Sequence, residues 1–402
     1  MAEKSRFLSN ILAQPPFKDR LFIGDYVNFV TEIVAKCVSS SGSGVSLKMP
    51  VKIVSTEQNY LSTAKLIKDT LSLKGIFCDA FAVDNVQSIR SIDLSGGSLI
   101  IGVGGVDFLD ALLLSCKDIP TKKLAIPNQG VFAPLFCKDK CFQGVSGNNL
   151  CLGLYDYVVL DVNLYKRLKK NHVADALSFI ASKNLQFLEL KLNHADYDKQ
   201  KLDGIESLIT SATGLIGGVT EENMYAVSIV AQIIIAKAIY IEPQIYLSPS
   251  YYSARVLQML TGNTLDECLF GLTQPLLTAY GAYISSPVQI FDLPNVNDDV
   301  EEFAEVMHLK SANVLPFISI SDLPQIEGAR AKAGKNIEDV ILAKKCAKAH
   351  KACYDRVYRG RKRRDTFTSE QLYKALTLGG AVSYGVLKTM YDDGFIKTLT
   401  KK

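Results

Sequence analysis

The stretch SLIIGVGGVDFLD, Ser98 to Asp110, decides how this chain is read. SLIIGVGG (Ser98 to Gly105) reads as an apolar strand that runs into Gly102, Gly104 and Gly105, and a helical pattern opens at about Val106. Glycines at a strand-to-helix junction let a backbone pass close to a phosphate, whose charge the free N–H groups and the helix dipole then favour. The same residues also suit an ordinary tight turn, because the spacing is not GxGxxG. Working outward, VKIVST (Val51 to Thr56), IFCDAFAV (Ile76 to Val83), KLAIP (Lys123 to Pro127) and YVVLDV (Tyr157 to Val162) read as further short strands. An amphipathic helix from Asn59 to Gly75 lies between the first two and stops at its glycine. Strands alternating with helices imply βαβ units and a mostly parallel sheet covered on both faces.

After Leu164 the pattern changes to long helical stretches, His172 to Leu192, Lys201 to Leu215, Glu221 to Ile241 and Ile337 to Tyr358. The expected architecture is an α/β N-terminal nucleotide-binding domain over residues 1–165 and an all-α C-terminal domain over 166–402. In open α/β sheets ligands lie outside the carboxyl ends of the strands, so chemistry is expected where those ends face the helical domain.

Composition narrows the classes. The chain has 402 residues, 48% apolar and 21% charged, enough to bury a sizeable core and unlike a disordered or collagen-like chain. Forty-five Lys+Arg against 41 Asp+Glu leave +4, short of a nucleic-acid footprint. The nine cysteines are odd in number and scattered, which reads as free thiols in a reducing, cytoplasmic setting. The N-terminus lacks an apolar h-region with a cleavage site. The most apolar helix, Ala226 to Ile241, carries Ser228, Gln232 and Lys237 and reads as a core helix, so no membrane partner is expected.

IIGVGGVDFLDALLLS, followed by KLAIPNQGVFAPLF, resembles the glycine-rich pyrophosphate loop and next segment of the superfamily of iron-containing alcohol dehydrogenases, glycerol-1-phosphate dehydrogenases and dehydroquinate synthases. FIGDYVNFVTEIV and VKIVSTEQNYLSTAKLIKDTL are similar to its opening elements, and YVVLDVNLYKRLKKNHVADALSFIAS to its entry into the helical domain. The resemblance spans about Leu21 to Tyr283. It implies an NAD(P) site carried by Gly102, Gly104, Gly105, Asp110 and Asn128, and hydride transfer on a small alcohol or polyol phosphate. It also implies a divalent metal held by a carboxylate, here Asp175, and two histidines.

The chain departs from that pattern. Val106 stands for the third glycine, Leu113 for a lysine and Asn128 for a threonine. LSPSYYSARVLQML (Leu247 to Leu260) resembles the first histidine segment yet offers Tyr251, Tyr252 and Ser253. TLDECLFG (Thr264 to Gly271) resembles the second, with Glu267 matching a glutamate and Leu265 where a histidine belongs. Tyrosine and leucine do not replace imidazole for zinc or iron at neutral pH. Tyr252 and Glu267 join Asp175 as the residues left at those positions. The four histidines, His172, His194, His308 and His350, read as surface, loop or core residues, and CKDKC (Cys137 to Cys141) has no second pair for a zinc knuckle. The basic run Arg359 and Arg361 to Arg364 reads as a solvated turn, without an aromatic platform for nucleic acid.

Two expectations follow. One is a divergent NAD(P)-dependent oxidoreductase; the other is a catalytically inactive relative that keeps the fold for nucleotide or anion binding or for assembly. A small-molecule substrate or nucleotide and a second copy of the chain are the expected partners.

Overall fold

The computed structural model describes residues 2–40, 50–84, 87–138, 140–143, 149–193 and 198–284, with isolated positions 345, 347, 348, 351, 352, 371 and 375. His194, His308, His350, the basic run and nearly all of the predicted helix Ile337 to Tyr358 lie outside these residues. The chain divides into two compact units, 1–173 and 174–402.

The first unit opens with α1 (Ala2–Leu12), β1 (Leu21–Ile23), α2 (Tyr26–Ser40) and β2 (Val51–Thr56). The predicted Asn59-to-Gly75 helix begins earlier, as α3 (Glu57–Asn59), a π-helical turn over Tyr60–Ala64, and α4 (Lys65–Leu73). It ends in a Schellman motif. Gly75, at φ +74, donates to the Ser72 carbonyl at 2.9 Å and Ile76 N donates to Leu71 O at 3.0 Å. Next come β3 (Cys78–Val83), β4 (Leu99–Gly104), α5 (Val106–Ser115) and β5 (Lys122–Pro127). A two-stranded antiparallel hairpin, β6 (Lys140–Gln143) with β7 (Asn149–Leu152), and β8 (Tyr157–Leu160) complete the strands.

Six strands form one parallel sheet in the order β1-β8-β5-β4-β2-β3. Central β4 is buried at all six positions, as expected for a continuous apolar strand covered on both faces. On one face Val51, Ile53, Ile101, Val103 and Ile126 pack with Tyr26, Val30 and Ile33 of α2 and Ile67 and Leu71 of α4. On the other, Leu109 and Leu112 of α5 lie against Gly102.

Strand order fixes the place for a ligand. From β2 the chain moves to β3 at one edge, whereas from β4 it moves to β5 on the opposite side. The connections therefore diverge between β2 and β4, and ligands of open α/β sheets bind outside the carboxyl ends at such a topological switch point.

The second unit is helical. After α6 (Val162–Lys166), α7 (Lys170–Asn193) crosses from one unit into the next. It is followed by α8 (Lys199–Gly214), α9 (Met224–Ile241), α10 (Pro249–Thr261) and α11 (Leu265–Ile284). From Ala176 to Leu190 every residue of α7 is buried, although this stretch includes Ser178, Ser182, Lys183, Asn184, Gln186 and Glu189. α9 is long and apolar enough to cross a membrane by length and composition, and 61% of it is buried inside the structure. Its Gln232 and Ser228 are buried and bonded to each other at 3.4 Å, which suits a core helix.

Candidate functional site at the carboxyl edge of the sheet

The register sets Val54 beside Gly102, Ser55 beside Val103 and Gly104 beside Pro127, so the ends of β2, β4 and β5 share one edge. Gly105 caps α5 in an extended conformation with no side-chain cap bond. The first amides of α5 are left to backbone or ligand acceptors.

Each glycine of the turn has a neighbour in the space a side chain would fill. A Cβ at Gly102 would lie 2.7 Å from Leu112 Cδ2 and 2.8 Å from Leu109 Cδ2, so this glycine lets α5 settle on β4. At Gly104 it would meet Phe108 Cδ1 at 2.4 Å, and at Gly105 the amide end of Gln129 at 2.0 Å. Gln129 is exposed, so its amide end is the mobile member of the group. Farther along, a Cβ on Gly130 would sit 1.6 Å from the His172 carbonyl oxygen, a backbone atom that cannot swing away.

The polar atoms flanking the turn are only partly satisfied. Asn128 N donates to the Gly104 carbonyl at 3.2 Å, yet its Oδ1 is buried without a hydrogen-bond partner. Ser55, fully buried at the end of β2, likewise has an unpartnered Oγ. Beyond it, Thr56 Oγ1 accepts from Asn59 Nδ2 at 2.8 Å, and Glu57 is exposed at the start of α3. Buried polar atoms are nearly always paired. Ser98 Oγ just before β4, and Asn184 Nδ2 and Ser253 Oγ in the second unit, are unpartnered as well, so what distinguishes Ser55 and Asn128 is their place on either side of the glycine turn.

Asp110 is placed otherwise than a residue facing a ligand. Its carboxylate accepts two hydrogen bonds from Lys140 Nζ, at 2.8 and 2.7 Å, with the lysine side chain only 2% exposed. The pair ties the second turn of α5 to the β6–β7 hairpin. Nearby, the Tyr155 hydroxyl donates to the Leu109 carbonyl at 2.6 Å, and burial pushes the phenol well above its usual range. Leu113 is buried. Cys137 is buried and not in a disulfide, and Cys141 lies in β6. At the next strand end Asp161 caps α6, accepting from Asn163 N and Leu164 N and also from Tyr26 N. Tyr165 donates to the Gly130 carbonyl at 2.6 Å. His172, beside that glycine, is half-buried, and burial with the Lys169 charge lowers its pKa.

The residues expected around a metal do not form a cage. Asp175 is half-buried on α7, Tyr252 lies in α10, and Tyr251 is buried with its hydroxyl accepting from Arg255 Nε at 3.0 Å. Glu267 closes a capping box: Thr264 N donates to its carboxylate at 3.0 Å and its own N–H donates to Thr264 Oγ1 at 3.2 Å. Leu265 is the first residue of α11. Among the described residues no three His, Cys, Asp or Glu side chains come together to hold an ion. These donors do not fit a divalent metal.

No protein-family model and no curated relative matches the sequence. Solved structures do match. The NADH-dependent butanol dehydrogenase A of Thermotoga maritima superposes with a TM-score of 0.54 at 11% identity, over 95% of this chain and 97% of that one. 1,3-Propanediol oxidoreductase gives 0.54 at 12%, over 93% and 97%. An iron-containing alcohol dehydrogenase of Thermotoga maritima gives 0.50 at 12%, over the same shares. The chain has the fold of the iron-containing alcohol dehydrogenases. The expected order, an α/β domain and then a helical one, is that of this dehydrogenase fold. The sequence missed Ser55 and Lys140: a lone serine at a strand end carries no pattern, and Lys140 is 30 residues from its partner.

Proposed function

We propose that this chain is a nicotinamide-dependent oxidoreductase acting on a small alcohol, its carbonyl counterpart or a polyol phosphate. The observation that carries the reading is the glycine turn at the switch point, flanked by the unpartnered Ser55 Oγ and Asn128 Oδ1. The fold match to solved dehydrogenases supports it.

The residues present fit a dinucleotide. The turn Gly104–Gly105 and the first amides of α5 would receive the pyrophosphate, because backbone N–H groups and the helix dipole favour an anion there. Asn128 Oδ1 accepts a hydrogen bond and Ser55 Oγ accepts or donates one, which matches ribose hydroxyls or a carboxamide. Glu57, at the end of the strand next to the glycine strand, is placed for ribose hydroxyls and disfavours a 2′-phosphate by charge. When bound, the nicotinamide ring supplies the hydride acceptor or donor. The chain's part would be to hold the ring in position.

Titration with reduced cofactors, followed by fluorescence, tests the reading. Saturable micromolar binding of NADH, weaker for NADPH and lost in Gly104→Val, is expected; no binding of either cofactor overturns it. A homo-oligomer belongs to the same proposal: β3 is an edge strand, and Leu73 (89% exposed) and Phe77 (59%) beside it are large apolar groups facing solvent.

A further inference from the structure

The seam between α7 and α10, where the family resemblance puts a carboxylate and a histidine around a metal, is filled by the chain's own ionic and polar groups. Lys183 is fully buried. Its ammonium lies 3.8 Å from the centroid of the Phe179 ring and 5.4 Å from that of Tyr246, and it donates to Gln186 Oε1. Side chains on a helix lean toward its N-terminus, so Lys183 reaches back one turn to Phe179, in the direction of Asp175. Gln186 Nε2 reaches the Tyr246 carbonyl at 3.5 Å. One turn on, the buried Glu189 accepts from Ser250 Oγ at 2.8 Å and Ser250 N at 3.3 Å, and Ser248 Oγ lies 2.9 Å from Ser250 Oγ. Tyr246 and Tyr251 close the aromatic wall with ring centroids 4.7 Å apart.

A buried charge persists only where neighbours replace its water. Two π faces and an amide oxygen do this for an ammonium, and they are poor donors for zinc or iron. Two buried polar side-chain atoms of the described residues in this unit lack a partner, Asn184 Nδ2 and Ser253 Oγ. Asn184 Nδ2, as an N–H donor, calls for an acceptor rather than a cation.

We propose that the Lys183 ammonium, caged by Phe179, Tyr246 and Gln186, is the resident cation of the α7–α10 seam, so that the helical unit folds and holds its shape without a divalent ion there. The disagreement with the resemblance then lies in the cation itself: the helix that carries Asp175 brings a covalently attached one of its own.

The test uses the full chain expressed with zinc, iron and magnesium supplied, analysed for metal content and melted with and without EDTA. The expected result is no stoichiometric ion and an unchanged Tm. A resident ion at a hundredfold over its Kd would instead make chelation lower Tm by roughly 5–10 °C. One ion per chain with such a loss would overturn the proposal. Lys183→Met gives the second arm. The substitution strands Gln186 Oε1 in the interior and loses two cation–π contacts, which should lower Tm by roughly 3–10 °C, a loss that added zinc, iron or magnesium does not restore. If Lys183→Met melts like the parent, or if added metal rescues it, Lys183 is not the cation that holds the seam. Should that variant fail to fold, the parent's metal content and EDTA response decide alone. Neither readout depends on cofactor binding, so the proposal stands or falls separately from the dehydrogenase reading.

Discussion

The carboxyl edge of the sheet and the α7–α10 seam are both buried and polar, yet their polar atoms stand in different surroundings. At the seam the charged groups Lys183 and Glu189, with Gln186, Ser248 and Ser250, engage the rings, amides and hydroxyls around them, while Asn184 Nδ2 and Ser253 Oγ on the same two helices lack a partner. At the sheet edge Ser55 Oγ and Asn128 Oδ1 stay unpartnered beside a glycine turn whose helix has no side-chain cap. A closed network contributes to stability and specifies packing, whereas an open set of donors and acceptors costs stability and is kept where something else binds. What separates the two regions is position: the orphans at the sheet edge stand beside a glycine turn and an uncapped helix N-terminus, and those of the seam do not.

The largest way to sharpen the comparison is to break a closed pair next to the open site. Lys140→Met strands the Asp110 carboxylate in the interior and should cost about 3–5 kcal/mol in urea unfolding. The double variant Lys140→Met with Asp110→Leu should recover most of that loss, because both charges are then gone. A single variant that unfolds like the parent would show that the pair is not held. Gly130→Ala comes next. Its methyl would meet the His172 carbonyl, a backbone atom, and a loss of roughly 1–3 kcal/mol is expected in the same assay.

The open site should respond in the opposite sense. Asn128→Leu removes an orphaned buried oxygen, so the melting temperature should hold or rise, while NADH affinity falls about tenfold for one lost hydrogen bond. A variant that loses stability and keeps its affinity would make Asn128 a structural residue like those of the seam. The smallest effect is a pH dependence. His172 has its pKa lowered in the folded state, so below the unfolded value of about 6.5 the unfolded chain binds the extra proton. Its contribution to stability is therefore full above that pH and is lost as pH falls through the folded value. His172→Gln should flatten the decline below about pH 6.5 in melts recorded against pH.

Much of the fold was legible because burial imposes period and composition. The strand Val51 to Thr56 is predicted and found with the same bounds, and Ser98 to Gly105, Lys123 to Pro127 and the helix His172 to Leu192 differ by one or two residues at their ends. β1 and the β6–β7 hairpin escape a periodicity reading, since strands of three and four residues are too short to show alternation. The site was less legible. The glycines announce a close approach without saying whether a ligand or a Phe108 or Gln129 side chain makes it. Glu267 could have been read correctly, because Thr264-x-x-Glu267 ahead of an apolar run is a capping-box signature. Lys183 could not: a lysine in a helix is ordinarily a surface residue, and only the tertiary fold brings Tyr246 over it.

The most direct test of the central claim is fluorescence titration of NADH into the metal-analysed parent chain and into Gly104→Val, with circular dichroism to verify that both are folded. Saturable micromolar binding by the parent, abolished in a folded variant, is the predicted result. A folded parent that binds no NADH, or a variant that binds it as tightly as the parent, would contradict the assignment of the glycine turn as a dinucleotide site.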